Sequence, residues 1–435
     1  MKQAFFVLVA LILILFSLHA FTQENHPYKE GEILVRYLSS VSETDQINML
    51  SQVGGEIKDQ DFLVPNLKLI KLEKGQTVEE AVKQFEQLPG VIYAVPNHYV
   101  SIEAGIFPPR PEPNPDPTPD PFSDPLFDRS YGIHKIDSLK AWTQFSTGNR
   151  SIVVAVIDTG IDYTHEDLAA NMWKNPKEIE GNGIDDDNNG FIDDIYGWNF
   201  VGNNNNPFDD NRHGTHVSGT IGAIAGNGLG TIGVSPKVSI MACKFLSKDG
   251  FGSVDAAMKA ITYAVANGAK VLNNSWGGGS FSQALLDTIK AAERSGVLFV
   301  AAAGNSGKDN DTAPMYPASY DAPNIISVAA TDALDQRASF SNFGKTTVDL
   351  GAPGVAVFST FPGNLYGNLS GTSMATPHVT GAVALIWAYK PTLTVYDLKD
   401  LMLNTVDHVD SLKDVTVSGG RLNVYNAMAF SLLSF

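Results

Sequence analysis

The chain has 435 residues, 43% hydrophobic and 18% charged, which excludes disordered and fibrous classes and leaves room for one large domain and a small one. A formal net charge of -17 excludes nucleic acid and anionic membrane as partners. Cys243 is the only cysteine, so an exported chain of this kind has no internal disulfide and depends on core size or bound metal.

The opening stretch MKQAFFVLVALILILFSLHAFTQE puts one Lys before an apolar run from Ala4 to Leu18, with small residues at Ala20 and Thr22. It predicts a cleaved export signal over residues 1–22, because the run is shorter than the roughly 20 residues of a spanning helix. From Gly31 to about Glu103 the pattern is compact: EILVRYL as strand, VSETDQINMLSQVG as helix, LKLIKL as strand, TVEEAVKQFEQL as helix and VIYAV as strand. Thr77 and Glu80 have capping-box spacing at the second helix. The order predicts a small α+β domain of the split βαβ, ferredoxin-like kind over residues 23–105. Phe107 to Pro125 contain nine prolines in nineteen positions, so residues 106–124 are expected to be an extended, exposed linker.

Beyond it, residues 125–435 alternate apolar runs with amphipathic segments. SIVVAVID, VSIMACKF, AKVLNNS and GVLFVAAAGN read as buried strands. VDAAMKAITYAVANG, FSQALLDTIKAAERSG and SMATPHVTGAVALIWAYK read as helices. This predicts a doubly wound α/β fold, a mostly parallel sheet with helices on both faces and function at the carboxyl ends of its strands. Asp158 ends one strand, Asn305 ends another, His213 begins the Gly-rich helix HGTHVSGTIGAIA, and Ser373 stands at the start of a long apolar helix. His216, His378, Trp142 and Trp387 read as packing residues, and Cys243 as a buried core thiol.

The blocks DTGID, HGTHVSGT, AAAGN and GTSMATPHV, in that order, resemble the signatures of the subtilisin-like serine proteases, the subtilases. The likeness covers roughly Pro125 to Ala429, including the closing GGRLNVYNAMA. It implies a secreted serine endopeptidase with Asp158, His213 and Ser373 as catalytic residues and Asn305 in the oxyanion hole. The chemistry agrees: a serine hydroxyl needs a base, His213 can be one, Asp158 can fix its tautomer, and Asn305 with the Ser373 N–H can stabilise an oxyanion.

The resemblance also implies a cleft that binds protein or peptide substrate as an added strand. Ser275, Trp276 and Gly277 would form one wall and the Lys248–Gly252 turn, with Gly250 and Gly252, the other. The pocket for the residue before the scissile bond would be lined by Ser275 to Gly277 and by Ala302, Ala303 and Gly304. Met315 stands where many relatives have Gly at the pocket floor, and predicts a preference for medium apolar residues over large aromatic ones. Residues 23–105 would be a propeptide that inhibits its own protease, the tail near PNHYVSIEAG lying in the cleft; the blander alternative is a permanent accessory domain. A monomer without membrane anchor is expected. A serine esterase with the same residues and a non-enzymatic calcium-binding surface protein are the other readings.

Five aspartates fall between Asp185 and Asp194. The spacing D-x-D-x-N-G matches the first half of an EF-hand loop, with Asp185, Asp187 and Asn189 giving side-chain oxygens and Phe191 its carbonyl. Tyr196 stands where the bidentate Glu should be, so Asp193 or Asp194 must close the loop. Oxygen ligands without His or Cys select Ca²⁺. A solvated acidic turn is the alternative, and a dockerin-like module fails for want of a duplicated loop. A second calcium site is implied by the family resemblance, with Asp167, the Asn227 side chain and the carbonyls of Ile224, Leu229 and Thr231.

Overall fold

The computed structural model describes residues 27–102, 124–278 and 280–432. The predicted signal at residues 1–22 and all but the last residue of the linker at 106–124 lie outside them. The chain divides into two compact units, one built from residues up to Tyr99, without the 61–65 loop, the other from that loop and the chain from Val100 onward. Residues 280–282 group with the first unit.

In the first unit, strands Tyr28–Tyr37, Glu56–Asp59, Leu67–Lys71 and Val91–Ile102 alternate with helices Glu43–Val53 and Val78–Glu86 in the order βαββαβ. The strand from Val91 pairs antiparallel with Tyr28–Tyr37, which pairs with Leu67–Lys71, which pairs with Glu56–Asp59. This is the expected ferredoxin-like order. Ser42 and Thr77 accept the N–H groups of Asp45 and Glu80 at 3.2 and 3.3 Å, which fixes where each helix begins. Ala81 and Phe85, four residues apart, turn one helix face onto Ile33, Val35 and Ile70. Strand Glu56–Asp59 was not anticipated, because EIKD carries three charges on an edge strand with no buried residue.

The second unit is organised on a nine-stranded sheet. From one edge the order is Gly197–Asn199, Lys237–Lys244, Gly148–Asp158, Val271–Asn274, Leu298–Ala302, Ile325–Thr331, Leu350–Pro353, Gly420–Arg421 and Asp407–His408. Every neighbouring pair is parallel except the last. Later strands add on both sides of Gly148–Asp158, so its carboxyl end, Asp158, lies at the point where the winding reverses.

Val154 and Val156 join the main core with Met374, Val379 and Ala382, while Ala155 and Ile157, on the opposite face by alternation, are equally buried. Burial on both faces explains why these strands read as unbroken apolar runs. Helix Thr372–Tyr389 is buried on all sides as far as Trp387. Trp142 and Trp387 are core residues, as expected. No helix among the described residues is long and apolar enough to cross a membrane.

Candidate active site

The end of strand Gly148–Asp158 meets the start of helix His213–Gly222. His213 Nδ1 lies 2.7 Å from Asp158 Oδ1, both side chains being buried, and the same oxygen accepts the Thr159 N–H at 2.7 Å. A carboxylate on Nδ1 leaves Nε2 as the basic nitrogen, and His213 Nε2 has no hydrogen-bond partner among the described residues.

Residues that sequence reasoning passed over hold this pair in place. The buried Asp209 accepts the hydroxyls of Thr159 and Thr215 at 2.9 and 2.7 Å and the N–H groups of Asn211, Arg212 and Thr215 at 2.9 Å. Burial raises its carboxyl above the ordinary carboxylate range. Arg212, directly before His213, has φ 112°, a conformation disfavoured for a side-chain-bearing residue, and the Asp209 contacts fix it there. Lys244, register partner of Asp158, donates to the Thr159 and Leu246 carbonyls at 2.6 and 3.1 Å and to Asp210 at 2.7 Å. An Asp four residues before a helix-opening His is the signal that would have revealed the first of these clamps.

Ser373 occupies the first turn of helix Thr372–Tyr389. Pro377 in that helix has no N–H for the Ser373 carbonyl, which accepts the Ser275 hydroxyl instead, at 2.9 Å. The Ser373 hydroxyl in turn donates to the Ser275 carbonyl at 2.7 Å. The Ser373–His213 hydrogen bond is therefore not made in this conformation, and forming it requires Ser373 to leave Ser275. Asn305 Oδ1 accepts the N–H and hydroxyl of Thr372 at 2.9 and 3.1 Å, which orients the amide so that Nδ2 is its donor.

Both of the predicted cleft walls contact one segment of chain. Residues 100–102 fall in the second unit, where Ser101 pairs with Gly277 and Ile102 with Trp276 in antiparallel register. On the other side the Ile102 N–H donates to the Gly250 carbonyl at 3.0 Å. A Cβ on Gly250 would come within 2.9 Å of the Ile102 side chain, so glycine permits this approach. Gly252 lies against the Phe245 carbonyl in the same way. Ala302, Ala303 and Gly304 are buried, and Met315 Cε lies 3.0 Å from where a Gly304 Cβ would stand.

His216, His378 and Cys243 are packed in the core. Burial lowers His216 to about 3 and His378 to about 4, and their ring nitrogens bond the Val357 and Met374 carbonyls at 2.8 Å. Burial raises the Cys243 thiol, which keeps it protonated.

In the acidic loop, the carboxylate that stands with Asp185 and Asp187 is Glu178, their oxygens lying within 4.8 Å of one another. The expected closing residues, Asp193 and Asp194, are engaged in other hydrogen bonds. Asp193 accepts the N–H groups of Gly181, Asn182 and Gly183 at 2.9, 3.2 and 2.9 Å. Asp194 is buried against the Tyr263 hydroxyl at 2.6 Å and Asn175 Nδ2 at 2.8 Å. Asn189 Oδ1 takes the Phe191 N–H at 2.8 Å. Glu178 precedes the motif by seven residues, so the spacing of the motif does not point to it.

At the second predicted site, Asp167 is gathered with Asn227 and Thr231, whose Nδ2 and N–H donate to its two oxygens at 2.9 Å. The Ile224 N–H donates to the Asp167 backbone carbonyl at 3.0 Å, and that of Leu229 to Asn227 Oδ1 at 2.9 Å. Asp124, placed in the linker by composition, is buried here and accepts the N–H groups of Gly226 and Gly228 at 2.6 and 2.9 Å. Burial, with the negative charge of Asp124, pushes Asp167 up to about 6.

The chain is similar to known proteins over most of its length. The profile described as Subtilase family matches residues 149–423, and that described as Fervidolysin N-terminal prodomain matches residues 17–97. Subtilisin E of Bacillus subtilis (strain 168) is 34% identical over 374 residues, which cover 86% of this chain and 83% of that protein. A thermophilic serine proteinase of Bacillus sp. (strain AK1) is 33% identical over 410 residues, 94% of this chain and 90% of that one. The structure of fervidolysin from Fervidobacterium pennivorans, described as a keratinolytic enzyme related to subtilisin, superposes with a TM-score of 0.76 at 26% identity. That match covers 93% of this chain, which spans only 62% of the fervidolysin chain.

Proposed function

The chain belongs to the subtilase family and is a subtilisin-like serine endopeptidase with an N-terminal prodomain, and from that premise we propose a secreted, calcium-stabilised monomer in which Asp158, His213 and Ser373 hydrolyse protein substrates. The observation that carries the residue assignment is the buried His213–Asp158 hydrogen bond, with His213 Nε2 left available. Ser373 Oγ attacks the substrate carbonyl and gives its proton to Nε2, while Asp158 stabilises the imidazolium. The imidazolium then protonates the leaving amine. Water hydrolyses the acyl-enzyme by the same steps in reverse.

Asn305 Nδ2 and the Ser373 N–H at the helix N-terminus are the donors for the oxyanion. Asn305→Ala is expected to lower kcat by about 10²–10³-fold with KM nearly unchanged, because the contact forms only as charge develops. Steady-state kinetics on a peptide substrate decide this. A fall in affinity alone would contradict the role.

Substrate adds as a strand between the turn at Gly250 and the wall at Ser275–Gly277, the edges that hold Ser101 and Ile102 here. A site shaped for extended backbone favours peptides over simple esters. With Met315 filling the floor beside Gly304, medium apolar residues are preferred before the scissile bond. Met315→Gly is expected to raise kcat/KM for Phe or Tyr relative to Leu on the order of 10-fold. A peptide-library profile already led by Phe or Tyr in the unaltered enzyme would refute the assignment.

The residues present fit calcium at both sites. Glu178, Asp185 and Asp187 offer clustered hard oxygens with no His or Cys among them. Asp167 and Asp124 offer carboxylates whose mutual repulsion a cation would relieve. The ion's contribution is charge neutralisation that stabilises surface loops, with no step in catalysis. Export rests on the likeness to subtilisins and on the apolar run that opens the sequence.

A further inference from the structure

Resting on the protease reading above, we infer that Arg212 makes the enzyme favour an acidic side chain in the leaving half of its substrate, at the first or second residue after the scissile bond. The acyl half lies between Gly250 and the wall at Ser275–Gly277, so the leaving half runs out along the other flank of His213. That flank is a hairpin. Strand Val357–Phe361 pairs antiparallel with Leu365–Leu369, which leads directly into the helix that carries Ser373. The Ser359 and Thr360 hydroxyls donate to the His216 and Thr215 carbonyls at 2.8 Å, which lays the first of these strands along helix His213–Gly222. The Arg212 guanidinium stands 5.8 Å from the centroid of the Phe361 ring, at the end of that strand, and so on the leaving side.

Arg212 is exposed, and among the described residues its side chain has no hydrogen bond or ion pair. The neighbouring carboxylates are committed elsewhere. Asp209 takes the hydroxyls and N–H groups described above, and Asp210 pairs with Lys244 at 2.7 Å. In a chain with 47 Asp and Glu against 30 Lys and Arg, a cation beside the catalytic base is thus left to a partner from outside.

The backbone sharpens the point. At φ 112° a glycine would carry no strain, whereas a side chain does, and the arginine neither caps the helix nor pairs with a carboxylate to offset it. Its contact with the Phe361 face is near the outer limit for a cation over a ring. The guanidinium is held at the leaving side with its N–H donors unused, and a substrate carboxylate there receives them in the two-pronged geometry that arginine offers.

The test uses internally quenched peptides that share one acyl half and carry Glu, Gln or Lys at the first or the second position after the bond. That half departs with the first product, so the preference is read in kcat/KM. At one of the two positions the mature enzyme is expected to favour Glu over Gln by about 3–5-fold, the scale of one exposed ion pair, and to disfavour Lys. Higher salt narrows the ratio. Arg212→Gly, which suits the backbone, is expected to bring the Glu to Gln ratio to about 1, and Arg212→Lys to restore part of it. A role confined to the turn would lower all of the peptides equally. That result, or a ratio near 1 at both positions in the unaltered enzyme, overturns the assignment. Hydrolysis of the series by the Ser373→Ala protein at the unaltered rate would instead defeat the protease reading, whatever the ratios.

Discussion

Ser373→Ala lowers kcat for peptide hydrolysis on the order of 10⁵–10⁶-fold while KM changes little, the scale set by loss of the corresponding serine in a subtilisin. The hydroxyl is buried at a helix N-terminus and contributes only when it attacks, so substrate binding through the strand edges survives its removal. The residual rate stems from the oxyanion donors and the strand-binding edges, which the substitution leaves intact. The alanine also breaks the reciprocal pair with Ser275, but the Ser275 hydroxyl keeps its bond to the carbonyl at position 373. The helix start is therefore preserved, and circular dichroism with a thermal melt is expected to show a folded protein. Steady-state kinetics showing undiminished hydrolysis would remove Ser373 from the reaction.

Chelation lowers the melting temperature of the mature enzyme by roughly 6–16 °C. A metal present at 100 to 1,000 times its dissociation constant contributes about 3–4 kcal/mol, and each kcal/mol shifts the midpoint by roughly 2–4 °C in a domain of this class. Calcium reverses the loss. The two sites separate by substitution: Glu178→Gln removes a charge from the cluster with Asp185 and Asp187, and Asp167→Asn removes the buried carboxylate beside Asp124. Each is expected to reduce the calcium-dependent part of the shift and the resistance to added protease, and to leave kcat of the folded enzyme unchanged. Differential scanning calorimetry with and without chelator checks this. An unchanged melting temperature in chelator would eliminate both sites.

The strands with long apolar runs were legible because they are buried on both faces, and Asp158 could be placed at a strand end from the pattern alone. Ile325–Thr331 and Leu350–Pro353 were not read out, although they continue the same sheet. The second is only four residues long, and LGAP carries a glycine and a proline that read as a turn. The site's four principal residues were legible because each sits in a compact motif. Their supports were not, because they are distant in sequence or carry no motif. Lys244 is 86 residues after Asp158, and nothing in MACKF marks it as the cation beneath Thr159. Glu178 and Asp124 lie outside the loops they serve, and only three-dimensional closure brings their carboxylates to Asp185 and Asp167. The register of Ser101 and Ile102 was likewise beyond the sequence, since an alternating tail shifted by two residues keeps the same side chains on the same face.

The central claim, that Ser373 is activated by His213 and Asp158, is tested most directly by labelling the mature enzyme with a fluorophosphonate and locating the adduct by peptide mass spectrometry. The account predicts one adduct, on Ser373, that His213→Ala nearly abolishes while the protein stays folded. An adduct on another residue, or labelling of Ser373 at the same rate without His213, would contradict it.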